Sequence, residues 1–516
     1  MRKQLKFPDS NRRAGYERGV AMEENGATIF RMRDYGVKPD TGEDACEALR
    51  TILNMAGGID DRVIIQFESG RYDFYDTHAS KEVYSISRST SELEDQDHMI
   101  HIGIHLKGMS NITIEGNGAL LVFHGKMTPF VIDDSRNIEI RQAVIDFERP
   151  TVSEMCVDGV HKGAIDFTIH PDSWYAIEQG QLVWVGEGWR SASGSSQVTD
   201  PHTSRTWRTN NPVSEATRAE ELEPFKVRLH YSARPEAHIG HIYQMRDGIC
   251  DQAGTLIVQS ENIVFDQVHF GYMPGTGMAA HYSEQITLQN LTFAPRQETG
   301  RTAASFSDFI RMVNCKGKLI VYHNNFLGSH GGGVSMRGMR WNPQVEIIGN
   351  RFASVPERGI RICAGGKAVI QHNAFHRMSM SGILIEEDGD RPFEAGAASE
   401  ATIAHNYFIK CGDPVIRIST DPVVHNITIE HNFFYLDGTT VVEAQGVQGL
   451  VFQANEVVGI SPARKPLFNL EACSEVYLTD NAVFLPNQRV RISQMPIEAV
   501  SITGDQAMIV EKAKGD

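Results

Sequence analysis

"LIVYHNNF" at residues 319–326 returns as "VEIIGNRF" at 345–352, "AVIQHNAF" at 368–375, "ATIAHNYF" at 401–408 and "ITIEHNFF" at 427–434. Looser copies follow, "LVFQANEV" at 450–457 and "VYLTDNAV" at 476–483. Each copy is a short β-rich run, an asparagine, and an apolar residue two positions later. The asparagines are Asn324, Asn350, Asn373, Asn406, Asn432, Asn455 and Asn481, at intervals of 26, 23, 33, 26, 23 and 26. A repeat of this length, built of short strands with turn residues between, predicts a parallel β-helix in which each coil gives one strand to each of several sheets. An asparagine at a fixed corner can stack on its counterparts and bond the turns above and below. The regular spacing sets this reading above that of several separate β-domains.

The same beat reaches back through "ITLQNLTF" (286–293) and "NIVFDQVHF" (262–270) to "NIEIRQAVIDF" (137–147) and "NITIEGNGALLVF" (111–123). Between about 153 and 245 it is lost: "AIDFTIH", "QLVWVGEG" and "FKVRLHYS" are strands of another rhythm. This predicts a small β subdomain inserted on the side of the helix. It holds Trp174, Trp184, Trp189 and Trp207, which suit either a core or platforms for sugar rings. Near the start, "DACEALRTILNMA" places Ala45, Leu49, Ile52 and Leu53 on one helical face. A helix there would cap the open end of the coil stack and hide a sheet edge. The expected organisation is an N-terminal extension (1–30), a cap with the first coils (31–152), the insert (153–245) and the main helix (246–516).

The 516 residues carry a net charge of −16, against the balance expected of a nucleic-acid binder. No apolar run is long enough to cross a membrane. The basic N-terminus "MRKQLKFPDSNRRAGYERGV" has no apolar centre. A cytoplasmic location is therefore expected, with secretion open if a leader has been removed. The seven cysteines are scattered, odd in number and free of CxxC pairs, which argues against a zinc site or a disulfide framework.

Four stretches carry a family resemblance: residues 123–154, 300–326, 357–375 ("ERGIRICAGGKAVIQHNAF") and 388–396 ("DGDRPFEAG"). Together they resemble glycoside hydrolase family 110, over most of residues 30–480 and most specifically over 118–154. The resemblance implies a right-handed parallel β-helix and an inverting α-galactosidase, many members cleaving terminal α-1,3-linked galactose. The family carries an Asp in an "AD-x-x-H" run. Here "SDFIR" keeps Asp308 and replaces the His by Arg311. About one coil later the family carries adjacent aspartates in "DDxxNxHG". Here "GGGVSMRG" places Gly331 and Gly332 at those positions, Ser335 at the Asn and Arg337 at the His. The glycines are not a phosphate loop, since no GK[ST] follows. A long β insertion usual in the family at this point is also missing, as "MRWNPQVEIIGN" leads straight to the next coil.

Counting seven residues on from each ladder asparagine puts Gly331, Glu357, Met380 and Asp413 in one column. Asp308 joins them if residues 294–306 form a bulge. Asp308 and Glu357 would then sit two coils apart, about 9–10 Å at the usual strand spacing. Inverting glycosidases hold their carboxyls roughly 6.5–9.5 Å apart. A second source of acid is the extruded run "IEEDGDRPFEAGAAS", with Glu386, Glu387, Asp388, Asp390 and Glu394. There Asp388 and Glu394 match the family's "D-x-x-x-W-x-E-S-G". The catalytic candidates are therefore Asp308, Glu357, Asp388 and Glu394. Alternation along "GVSMRG", "GIRICA" and "GILIEE" turns Arg337, Arg361 and Glu386 outward near Asp308. With Arg301, Arg311, His330, Trp341 and Glu387 they complete the expected substrate-binding set. Arginines there would hold sugar hydroxyls, or a carboxylate or sulfate on the sugar.

The function expected is an exo-acting glycoside hydrolase on an α-linked terminal sugar such as α-galactose, inverting by paired carboxylates. The alternatives are a polysaccharide lyase or epimerase on a uronate-containing glycan, and a non-catalytic carbohydrate-binding relative. The expected partner is an oligo- or polysaccharide, without nucleic acid or membrane, and a homo-oligomer is compatible. No cofactor is expected unless the acidic run binds Ca²⁺, though its spacing is not that of an EF-hand.

Overall fold

The computed structural model describes residues 3–5, 21–24, 26–86, 97–203, 205–246, 252–302, 304–305, 307–328, 331–338, 341–363, 365–386, 399–462, 464–486, 488–504 and 508–513. Three strands make each coil of a right-handed parallel β-helix. One coil is Ile310–Val313, Lys316–Tyr322 and Asn325–Leu327; the next is Val334–Arg337, Gln344–Ile348 and Arg351–Ala353. The third is Ile360–Cys363, Gly366–Gln371 and Ala374–His376. Every strand pairs in parallel with its counterpart one coil on.

The repeated asparagines form the predicted ladder at the corner between second and third strands. Asn373 donates from Nδ2 to the carbonyls of Ile347 (2.8 Å) and to Asn406 Oδ1 (3.0 Å), and its own Oδ1 accepts the Asn350 backbone N–H (2.9 Å). The pattern recurs from Asn324 to Asn481. The residue before each asparagine turns the chain with a left-handed φ, as at His372 (56°) and His405 (56°). The apolar residue two positions on points inward. Phe326, Phe352, Phe375, Phe408 and Phe434 stack at 4.8–5.0 Å between ring centres. All are buried.

At the N-terminal end the helix Cys46–Ala56 buries Leu49, Ile52 and Leu53 in the same core as Val63, Ile65 and Ile112. Off the side stands a seven-stranded antiparallel sheet whose strands run from Ser153–His161 to Ile242–Arg246, with a three-stranded sheet beside it. It has its own core, which takes Trp184 and Trp189, while Trp174 and Trp207 stay exposed. Arg149 lies over the Trp174 ring at 3.1 Å. The insert's hairpin Ser195–Asp200/Arg205–Thr209 lies along the coils: Arg377 Nη1 donates to the Thr203 carbonyl (2.8 Å) and Ser379 Oγ to that of Thr206 (3.0 Å). Of the six described cysteines, all but Cys156 are buried.

Candidate active site

The first strands of successive coils lie in register, Ile310 beside Val334, Ile360 and Ile383. Their side chains alternate, so Val334, Met336, Ile360 and Ile362 fill the core while Arg311, Ser335, Arg337 and Arg361 take the outer face. A cavity of about 110 Å³ opens on that face. Ser307, Asp308, Arg311, Ser335, Arg337, Glu357, Arg358 and Arg361 line it, with Gly331 and Gly332 as its floor. Arg208, on the insert's hairpin, supplies one wall.

Asp308 is the best-held carboxylate in the cavity. Its Oδ2 accepts from Arg311 Nε (3.0 Å) and Nη2 (2.8 Å), and its Oδ1 accepts the Gly332 backbone N–H (2.7 Å). Burial pushes its pKa up, but the Arg311 charge and hydrogen bond, the Gly332 N–H and the Arg361 charge outweigh it and hold the carboxyl below its ordinary value. Asp308 is therefore ionised at neutral pH.

The three glycines follow from this packing. A Cβ on Gly331 would stand 2.7 Å from the Asp308 nitrogen and 2.8 Å from its Oδ1. On Gly332 it would stand 3.1 Å from the same oxygen. Gly333 faces inward, where a Cβ would meet the Phe352 ring at 2.6 Å and the Gly359 carbonyl at 2.3 Å. Two glycines thus admit the Asp308 carboxylate to the backbone, and the third admits the phenylalanine stack.

Glu357 lines the same cavity, two coils on, with one difference from the counted column. Counting back from the paired strands, Asp308 is level with Gly332 and Arg358, whereas Glu357 is level with Gly331 and Ser307. The shift of one arises in the bulge before Asp308, where residues 297–299 form a 3-10 turn whose length the ladder does not govern. Glu357 Oε1 accepts from Arg208 Nη2 at 2.6 Å, rather than from its neighbours Arg358 or Arg361.

Among the expected binding residues, Arg311, Arg337 and Arg361 line the cavity. Arg361 also pairs with Glu386, one coil on. Arg301 is placed elsewhere. Its side chain is 5% exposed and ion-paired to Asp172 of the insert (Nε to Oδ2, 2.6 Å), so it fastens the insert to the coils. Trp341 is 63% exposed and is not among the residues lining the cavity. His330, Glu387, Asp388 and Glu394 lie outside the described residues, as does all of the acidic run but Glu386. No group of three or more metal-ligating side chains occurs among the described residues. Sequence reading missed Arg208 and gave Arg358 no role. Arg208 lies 149 residues before Glu357 in a segment outside the repeat, so no spacing signal joins the two.

Coils of this kind, with an ionised carboxylate in a polar cavity on one sheet face, define a parallel β-helix protein. Family profiles agree on the architecture: one described as a right-handed β-helix region matches residues 310–487, and one described as GLAA-B β-barrel domain I matches 153–242. The α-1,3-galactosidase A of Bacteroides thetaiotaomicron is 30% identical over 89% of this chain and 98% of its own. That of Streptomyces avermitilis is 26% identical over 88% and 92%. The solved A-module of mannuronan C-5 epimerase AlgE6 from Azotobacter vinelandii is 11% identical, covers 94% of both chains and has a TM-score of 0.46, too distant to bear on the site. The chain belongs to the α-1,3-galactosidase A family and is a glycoside hydrolase.

Proposed function

We propose that the protein removes a terminal α-linked galactose or closely related sugar, with inversion, using Asp308 and Glu357 across the cavity. The observation that carries this reading is Asp308, the family's retained aspartate, ionised on the floor of a cavity that Glu357 also lines. The two residues stand two coils apart, about 9–10 Å along the axis at the usual strand spacing, which leaves room for a water and a sugar. Asp308 orients and deprotonates the water. Glu357 donates to the leaving oxygen. Its Arg208 partner is 75% exposed, and so solvated a pair contributes less than about 1 kcal/mol, holding the carboxyl only weakly.

The test is turnover of aryl α- and β-glycosides, galactosides first. Cleavage of an α-galactoside by wild type, with losses of about 100-fold or more in kcat for Asp308→Asn and Glu357→Gln, is expected. Full activity in Glu357→Gln would move the second acid to the 386–394 run. Proton NMR of the first anomer released decides the stereochemical course. An ultraviolet-absorbing unsaturated product would favour a lyase, which the arginine-rich lining would also suit.

A further inference from the structure

We propose that the sugar bound in this cavity carries an anionic substituent, a sulfate ester or a carboxylate, held by Arg358 together with Arg361. The proposal rests on reading the cavity as the sugar site and adds the chemical class of the sugar. Among the described lining residues are five arginines and two carboxylates, a local surplus of arginine. The chain as a whole carries −16, so this surplus is local and opposed to the rest of the molecule.

The cations are not equally matched. Arg311 pairs with Asp308, Arg208 with Glu357, and Arg361 with Glu386. Arg358 makes no ion pair among the described residues, yet it is half-buried in the cavity wall beside Arg361. Its backbone is fixed, because its carbonyl accepts the Gly333 N–H at 2.9 Å, next to the glycine floor. Burial, and then the Arg361 charge, hold the Arg358 guanidinium below its ordinary pKa. A half-buried cation beside a second cation that has Glu386 as its carboxylate partner gains from a further anion. Guanidinium forks meet sulfate and carboxylate oxygens in pairs, a geometry that hydroxyls do not match. A neutral galactose would leave Arg358 without a counter-charge; the single negative charge of a sulfated or uronic sugar would supply one.

The experiment is calorimetric titration of the full chain with galactose, a monosulfated galactose, galacturonate and inorganic sulfate, at low and high salt. One anionic sugar is expected to bind about tenfold or more tighter than galactose. High salt and Arg358→Gln should both erase that advantage, and Arg358→Lys should keep part of it. Equal binding of galactose and both anionic sugars would overturn the proposal, showing that the surplus is neutralised from within the chain. So would an unchanged preference in Arg358→Gln. Sulfate alone binding as tightly as the sulfated sugar would reduce the cavity to a free-anion site and also overturn it. None of these readouts needs turnover. Cleavage of aryl α-galactosides without anionic preference leaves the hydrolase reading standing alone; preference without cleavage leaves this proposal and removes that reading.

Discussion

At the scale of single residues, the glycine run separates two roles that one substitution each can expose. Gly331→Ala drives a methyl into the Asp308 carboxylate and backbone (2.8 and 2.7 Å), so the carboxylate must leave its Gly332 and Arg311 partners. The expected result is a folded protein that has lost most of its turnover. Gly333→Ala meets a carbonyl at 2.3 Å and a buried ring at 2.6 Å, neither of which can yield. Its expected signature is a fall in melting temperature, an overpacking cost of about 1–3 kcal/mol. His281 tests the same face through pH. Burial, helped by the Arg311 charge, lowers its pKa from 6.5 to about 4. Below pH 6.5 the unfolded chain takes up a proton that the folded one refuses, so stability falls as pH drops and the loss is complete near pH 4. The difference amounts to about 3 kcal/mol, and above 6.5 it contributes nothing. Melts across that range should show a shallower decline for His281→Leu than for wild type.

At the scale of elements, the coils are held by two columns that the repeat encodes directly, asparagines at the corner and phenylalanines inside. Asn373→Ala takes the acceptor from the Asn350 N–H and one donor each from the Ile347 carbonyl and Asn406 Oδ1, the last of which keeps the Asn373 backbone N–H (2.9 Å). A buried group left unpaired costs about 1–3 kcal/mol and the other lost bonds add to it, so a loss of about 2 kcal/mol or more is expected by denaturant titration. Hydrogen exchange should rise first in the coils on either side, because a solenoid's contacts run between neighbours. An effect no larger than that of an exposed Asn→Ala change would mean that the ladder is ornament to the strand pairing.

At the scale of the molecule, the insert and the coils line the cavity jointly. The insert supplies Arg208 to the cavity and is fastened by Arg301 to Asp172 and by the His170 ring to the Thr299 carbonyl (2.6 Å). Arg301→Met strips the buried cation from Asp172. Breaking such a pair costs about 3 kcal/mol, and the cost should fall on docking rather than on the coils. Faster proteolysis within residues 153–246, with protection of the coils unchanged, is the expected outcome; uniform loss of protection would mean that insert and coils unfold as one.

The repeat by itself determined the coil path, the corner ladder, the inward phenylalanines and the outward row Arg337, Arg361, Glu386. Each depends on local periodicity, and a solenoid stacks what is local. The capping helix and the break at the insert were legible for the same reason. The motif resemblance added Asp308 and singled out Gly331 and Gly332. What only the tertiary structure decided lies where the chain leaves its period. The register of Asp308 against Glu357 turned on a bulge whose length no ladder residue sets. Arg301 has the composition of a ligand-binding residue, but burial against the insert made it a fastener. Arg208 entered the cavity from a subdomain that shares no periodicity with the coils. Pairings across such separations depend on how two independently folded surfaces meet, and that meeting is written in shape and charge over many residues, not in the spacing of any few.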